Sequence, residues 1–284
     1  MAQNASTELA HSDAGRCLNC GGTLDGAFCS SCGQRSVPIN PTVSELAGDA
    51  WNELSGYDGR FVSTFRGLMR PGQLTADYLQ GRRARYLSPV RLYLICSVVY
   101  FLFAAAAPEG AGGIRIGVWD DRGDATLSAE DRALLEAELA DSPWPLRVML
   151  DSIAKDPVAF RARIFTILPR VFIAMLPVYA GIVWLFCRGM RFPAALVFAV
   201  HLHAFAFLAM AISEAAKFSG SDAISLTIGV IMVVILSIYA LRAQHVVFGG
   251  TWPETVGKAT AIGLIYMMTA VPAFMITFIW ASMV

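Results

Sequence analysis

Five long apolar segments in the C-terminal two-thirds of the chain constrain its fold most strongly. Their approximate limits are 90–107, 166–187, 193–213, 223–241 and 259–281. A helix needs about 20 mostly apolar residues to cross a bilayer, and all but the first segment meet that length comfortably. One water-soluble core could not readily bury so many apolar helices. The sequence therefore predicts an all-α polytopic membrane protein with about five transmembrane helices.

The composition supports a membrane protein and gives no sign of a nucleic-acid partner. The 284 residues are 56% hydrophobic and 15% charged, whereas soluble domains average about 25% charged residues. The formal net charge is zero, so no overall basic field would attract nucleic acid. We expect the lipid bilayer to be the main partner of this chain.

Two Cys-x2-Cys-Gly motifs near the N-terminus predict a metal site. They contain Cys17 and Cys20 and, after eight intervening residues, Cys29 and Cys32. Four thiolates at this spacing suit a tetrahedral Zn²⁺, and the intervening residues are long enough for a small hairpin. We predict a small zinc ribbon over 15–35. Its zinc would be structural, because four protein ligands leave no coordination position for water.

Two other uses of the four cysteines stay open. A pair of disulfides would be possible in an oxidising compartment, and an iron–sulfur cluster also accepts four cysteines. The spacing favours zinc over a cluster, and the cytoplasmic location predicted below disfavours disulfides.

The remaining chain divides by composition and by helical pattern. We predict disorder over 1–14, cytoplasmic amphipathic helices and a basic juxtamembrane block over 36–89, and a transmembrane domain over 90–284 with an outer loop at 108–165. Within 36–89, the spacing of apolar residues predicts helices over 42–54, 61–69 and 75–79. A capped helix is also predicted within the outer loop, at 128–139.

The placement of basic residues orients the predicted helices. Arginines crowd the segment just before the first apolar run, and the loops after the second and fourth runs are also basic. Short basic loops face the cytoplasm, so we predict a cytoplasmic N-terminus, five spans and an outer C-terminus. The arginines nearest the first span are predicted to anchor its topology or to bind lipid headgroups: Arg82, Arg83, Arg85 and Arg91.

Three histidines form a possible intramembrane polar site. His201 and His203 lie inside the third apolar run, and His245 lies at the cytoplasmic end of the fourth. Ionisable groups within spans are costly and often functional. Residues two apart on a helix point about 200° away from each other, so His201 and His203 could not easily share one metal ion. We expect neutral, hydrogen-bonded histidines, with a transport path as the alternative.

Several strings in the chain resemble a known family. They are Cys32-Gly33-Gln34, Thr64-Phe65-Arg66-Gly67-Leu68, Arg70-Pro71-Gly72, the run from Tyr78 to Tyr93, and Leu196-Val197-Phe198 with the histidines that follow. Together they are similar to domain-of-unknown-function family 3667, a family of bacterial membrane proteins. The resemblance implies a bacterial inner-membrane protein with a zinc ribbon, and it implies no activity.

The function predicted from these features is that of a non-enzymatic adaptor or regulator. Its cytoplasmic zinc ribbon would bind a protein partner, while the helices hold it in the membrane. No phosphate-binding loop, nucleophile elbow or metalloprotease motif is present in the sequence, and we predict no catalytic residues. The alternative is a small permease or channel-like transporter built around the histidines. A membrane enzyme that acts on lipid is a third possibility.

Overall fold

The computed structural model describes residues 16–24, 28–34, 60–107, 143–155, 157–187 and 189–283. The predicted disorder over 1–14 and the predicted helices at 42–54 and 128–139 lie outside these residues. Within the described ranges the chain forms eight α-helices and no strand, which confirms the predicted all-α fold class. Arg16 and Thr23 form an isolated antiparallel bridge.

Two short helices precede the membrane-spanning ones. They are α1 (Phe61–Leu68) and α2 (Gln73–Leu79). The longer helices are α3 (Pro89–Ala106), α4 (Trp144–Lys155), α5 (Pro157–Phe186), α6 (Phe192–Ala216, continued by a 3-10 turn at Lys217–Ser219), α7 (Asp222–Phe248) and α8 (Trp252–Met283). A loop at residues 80–88 connects α2 to α3.

Five helices are long and apolar enough to cross a membrane, so the protein is a multi-pass membrane protein. The candidate spans are Pro89–Ala106, Ala159–Phe186, Phe192–Ser219, Asp222–Phe248 and Trp252–Met283. Each predicted apolar segment falls largely within one of them. The last four helices are longer than the predicted segments, because helical hydrogen bonding continues past the point where polar residues begin. Prolines inside α5 and α8 do not end these helices, as packed membrane helices allow.

One helix is much more buried than the others. Of the most apolar stretch of α6, 67% is buried, compared with 11–28% for the other four spans. Helix α6 therefore packs against protein on most of its surface. The other spans keep apolar sides exposed, as expected of helices that face lipid.

The chain divides into two compact units. Unit 1 comprises Met1–Cys96, Tyr179–Ala206 and Leu236–Ile262. Its core includes the stacked rings of Phe205 and Tyr239, whose centroids lie 3.6 Å apart, and an edge-on contact between Phe198 and Phe248. These two ring pairs join α6 to α7 at two levels along their length.

Unit 2 comprises Ser97–Val178, Phe207–Ile235 and Gly263–Val284. Phe172 lies at its centre and contacts the rings of three other phenylalanines, Phe101, Phe207 and Phe274.

Two arginines near the start of α5 bind the ends of other helices in unit 2. Arg161 donates hydrogen bonds to the carbonyl oxygens of Ala104 and Ala105 at the end of α3. Arg163 donates to the carbonyl of Ala281 near the end of α8. The last carbonyls of a helix lack partners within the helix and carry a partial negative charge. Both cations therefore satisfy these carbonyls and stabilise the two helix ends.

Candidate metal centre and its contact with the helices

The four predicted cysteines come together in space. Their sulfurs all lie within 4.8 Å of one another, and the shortest separations are 3.6 Å for Cys17–Cys32 and for Cys20–Cys29. A tetrahedral zinc with Zn–S bonds of about 2.3 Å requires sulfurs roughly 3.8 Å apart. Across the described ranges, no other group of three or more His, Cys, Asp or Glu side chains is placed to hold a metal ion. The cluster therefore fits one metal ion without rearrangement.

The two motifs adopt the same backbone turn. In the first, the Cys17 N–H donates to the Gly22 carbonyl and the Gly21 N–H donates to the Cys17 carbonyl. In the second, residues 29–34 repeat both bonds at matching positions. Gly21 and Gly33 have φ values of +76° and +70°, which residues with a Cβ rarely adopt. A Cβ would meet nothing within 4 Å at either position, so backbone conformation, not space, requires glycine. We call residues 16–24 and 28–34 the metal knuckle.

The knuckle favours thiolates at its second motif. The backbone N–H groups of Cys32 and Ser31 lower the pKa of Cys29. Burial raises the pKa of Cys32, but hydrogen bonds from the Asn19 side chain and the Gln34 backbone outweigh it and lower the pKa to about 6. Thiolate is the form that binds a metal ion, and a nearby positive charge stabilises several thiolates together.

The side chain of Gln34 joins the knuckle to the loop after α2. Its Nε2 donates to the Gly81 carbonyl at 2.7 Å. Its Oε1 accepts from the backbone N–H groups of Arg83 (3.2 Å) and Ala84 (3.1 Å). The side chain is buried. One amide thus satisfies three backbone groups of this loop, as a neighbouring strand would do.

Two further contacts strengthen this junction. Leu18 packs so tightly on Gly81 that a Cβ there would lie 2.5 Å from the leucine Cδ1. Arg85 donates from Nε to the Asn19 Oδ1 and from its guanidinium to the Asn19 carbonyl. The first motif therefore also contacts the loop.

The predicted headgroup arginines mostly make contacts within the protein. Arg82 pairs with Asp77 at 3.2 Å. Arg83 donates to the Tyr78 carbonyl and lies over the Tyr78 ring, 4.9 Å from its centroid. Arg85 contacts the knuckle as described above, and Arg91 lies half-buried in the first turns of α3. The structure thus gives three of these arginines a role in holding the loop to its neighbours.

A buried carboxylate organises α2 and the loop. Asp77 accepts a short hydrogen bond of 2.6 Å from the Tyr86 hydroxyl and another from the Gln73 amide. Its ion pair with Arg82 completes the set. Burial, together with the bond to Asp77, raises the pKa of Tyr86. Because the carboxylate of Asp77 has several partners, it can be buried at modest cost.

Helices α1 and α2 are held against the spanning helices of unit 1. The Tyr239 hydroxyl of α7 donates to the Leu68 carbonyl at 2.8 Å. Gly72, with φ +76°, lies so close to α7 that a Cβ would be 2.8 Å from the Ala243 carbonyl. Tyr78 of α2 packs against Val197 of α6. The metal knuckle is therefore linked through α2 and its loop to two membrane-spanning helices.

His201 belongs to the same set of contacts. Its Nδ1 lies 3.0 Å from the Thr75 hydroxyl of α2, and the Tyr78 ring approaches it edge-on. The side chain is 2% exposed, and its Nε2 has no hydrogen-bond partner among the residues that the structure describes. The predicted transmembrane histidine thus joins a spanning helix to a short helix that does not span.

The other two histidines contact different elements. His203 points toward α5, where its ring meets Tyr179 edge-on at 5.2 Å. His245 lies 3.1 Å from the Thr255 hydroxyl of α8 and stacks on the Trp252 ring at 4.0 Å. The three histidines do not form a common group among the residues described.

The fold and this site define a multi-pass helical membrane protein with an N-terminal four-cysteine knuckle that could hold a metal ion. Residues 58–101 match the model of a family described as a protein of unknown function (DUF3667), which confirms the family predicted from the sequence over this stretch. The match covers α1, α2, the loop that receives Gln34 and most of α3. No curated protein and no solved structure matches this chain.

Proposed function

We propose that this protein is a non-enzymatic membrane adaptor or regulator whose cytoplasmic metal knuckle binds a protein partner. The observation that carries the proposal is that the knuckle is fixed to the helical part of the protein and still exposes an aromatic side chain. Gln34 fixes it to the loop after α2, while Phe28 on the same knuckle is 63% exposed. A small rigid module that displays an exposed aromatic side chain is suited to recognition, because aromatic residues often dominate binding energy.

The metal in this proposal is structural zinc. Four closely spaced thiolates select zinc over harder cations, and the set is closed, so the ion supplies folding energy and no open position for chemistry. The knuckle has few apolar residues of its own, and such modules depend on the metal to fold. Cys17, Cys20, Cys29 and Cys32 would hold the ion.

A bacterial inner-membrane location with a cytoplasmic N-terminus is part of the proposal. The segment 60–91, which leads into the first span, holds seven arginines and a single carboxylate, Asp77. Basic residues accumulate on the cytoplasmic side of a membrane. This excess of positive charge supports a cytoplasmic position for the knuckle, where a reducing environment would keep its thiols free.

A permease is the second candidate function, and the buried His201 supports it. Its Nε2 lacks a partner within the described ranges, and buried polar groups without partners are costly enough to suggest a role. The three histidines contact different elements and do not line a common path, which favours the adaptor over the permease.

Metal analysis tests the zinc. We expect about one zinc per chain in the purified protein, lost in Cys29→Ser while the spanning helices stay folded by circular dichroism. Iron in place of zinc, or four intact thiols without metal, would contradict the proposal.

A comparison of two variants in cells separates the candidate functions. The adaptor predicts that Phe28→Ala abolishes function with zinc content and protein level unchanged, while His201→Gln retains function. The permease predicts the opposite pattern. Ser30→Ala is the matched control, because Ser30 is also exposed on the knuckle.

A further inference from the structure

Helix α1 has three distinct faces. Thr64, Gly67 and Leu68 are buried against the protein. At 100° per residue, the apolar side chains Phe61, Val62, Phe65 and Met69 fall within about 100° of the helix circumference, on a different side. Phe61, Val62 and Met69 are 45%, 64% and 52% exposed. We call these four residues the apolar stripe.

A cationic face borders the apolar stripe. Arg66 follows it around the helix at about 140° from Phe61, and Arg70 lies in the turn just after the helix ends. Both side chains are exposed, and neither makes a side-chain hydrogen bond or an ion pair in the part of the chain that the structure describes. They differ in this from Arg82, Arg83 and Arg85, whose guanidinium groups are engaged within the protein.

The end of α1 lies alongside the last turns of a spanning helix. The Leu68 carbonyl bonds to Tyr239, and Gly72 packs on Ala243, both in α7. Arg242, next to Ala243, ends the apolar run of α7 and marks where a headgroup region would begin. Helix α1 is therefore next to the boundary between acyl chains and headgroups.

We propose that α1 is a membrane-surface helix that binds anionic phospholipid. The apolar stripe lies among the upper acyl chains, and Arg66 and Arg70 bind the headgroup phosphates. Apolar residues beside a row of cations are the pattern of helices that lie in the plane of the interface. Guanidinium groups suit phosphate because they can donate two parallel hydrogen bonds. The site goes beyond the adaptor function and does not depend on it.

A lipid titration of the full-length, metal-loaded protein in mild detergent tests the headgroup contact. We expect phosphatidylglycerol to raise the unfolding temperature far more than phosphatidylcholine does, and inorganic phosphate to have no effect. The double variant Arg66→Gln/Arg70→Gln should weaken the apparent affinity for phosphatidylglycerol roughly 30-fold, the equivalent of about 1 kcal/mol per arginine. Arg16→Gln, which removes an exposed arginine of the metal knuckle outside every candidate span, should change the affinity less than twofold.

An equal loss in the double variant and the control, an equal response to both lipids, or a response to phosphate alone would overturn the proposal. Photo-crosslinking gives an independent readout of the apolar stripe. A benzophenone side chain at Val62 should react with lipid acyl chains in reconstituted membranes, and one at Ser63 should not. A protein adduct at Val62, with another segment of this chain or a second copy, would replace lipid as the occupant.

Discussion

Single polar side chains carry the connection between the metal knuckle and the membrane helices. Gln34 joins the knuckle to the loop, Asp77 joins the loop to α2, and Thr75 joins α2 to His201. Each of these three side chains is buried. Because a buried polar group is costly when its partner is removed, each should be sensitive to small substitutions.

We expect Gln34→Ala to loosen the knuckle without removing its metal. The change leaves the Gly81 carbonyl and two N–H groups of the loop unpaired, at a cost of about 1–3 kcal/mol if they stay buried. Hydrogen exchange at Arg83 and Ala84 should become much faster, because their acceptor is lost. Ser30→Ala is the control: its side chain is exposed on the same knuckle, and we expect a cost below about 0.5 kcal/mol. Unchanged protection of the two amides in Gln34→Ala would show that Gln34 is dispensable.

The hydrogen bond from Tyr86 to Asp77 should make stability depend on alkaline pH. Burial and this bond raise the pKa of Tyr86, so the folded state favours the neutral phenol. The stabilisation is complete below the ordinary tyrosine pKa of about 10 and is lost as pH rises through the higher folded value. Tyr86→Phe should cost about 1.5–3 kcal/mol at neutral pH, as for a bond to a charged group. The difference in unfolding free energy between the two proteins should shrink above pH 10, and a constant difference would contradict this assignment.

At the level of elements, the turn between α1 and α2 depends on close packing against α7. Gly72 begins α2 with a positive φ and touches the backbone at Ala243. The short helices could not lie this close to α7 with a larger residue at that position. The sequence Arg70-Pro71-Gly72 thus forms the turn between the two short helices and also lets Gly72 contact the backbone of α7.

Gly72→Ala should be more destabilising than a glycine substitution that only strains the backbone. Gly220 has a similar φ of +69° with nothing within 4 Å of an added Cβ. We expect Gly220→Ala to cost about 1–2 kcal/mol from the left-handed conformation alone. Gly72→Ala should cost a further 1–3 kcal/mol or so, because its Cβ would collide with backbone that cannot rotate away. Thermal unfolding in detergent measures the loss of stability in both variants. Equal losses would mean that α7 moves away from the added Cβ at little cost.

At the level of the whole molecule, five crossings would put the N-terminal knuckle and the C-terminus on opposite sides of the membrane, as predicted from the sequence. The candidate spans are odd in number, and the knuckle precedes the first of them. The basic residues of unit 1 favour its side as cytoplasmic. Arg161 and Arg163 bind the C-terminal ends of α3 and α8, so two basic residues at the predicted outer side have a structural role.

A reporter that is active only outside the cytoplasm should be active when fused after Val284. The same reporter inserted in the loop between α5 and α6, near Gly189, should be inactive, because that loop follows two crossings. Activity of both fusions, or of neither, would mean that one candidate span does not cross. Pro89–Ala106 would be the first to examine, since at 18 residues it is the shortest.

The sequence by itself determined the parts of this protein that depend on local pattern. Apolar runs of membrane length can satisfy their backbone only as helices, so five spans follow from hydropathy. The Cys-x2-Cys-Gly spacing predicted the cysteine cluster, because each short turn brings two sulfurs to one side. The helices α1 and α2 were also predicted, within two residues at each boundary.

Only the tertiary structure showed what the polar side chains contact. Gln34 was visible in the sequence as the residue after the second motif, but its partners lie 47 to 50 residues away. His201 was predicted to be hydrogen-bonded to an adjacent helix, but the sequence did not indicate its partner, Thr75, which lies 126 residues away on a helix too short to span. The arginines next to the first span carry the same charge in any arrangement, so the sequence could not tell those engaged within the protein from those free to bind lipid. Such contacts depend on distances between segments far apart in the chain, and neither periodicity nor composition encodes those distances.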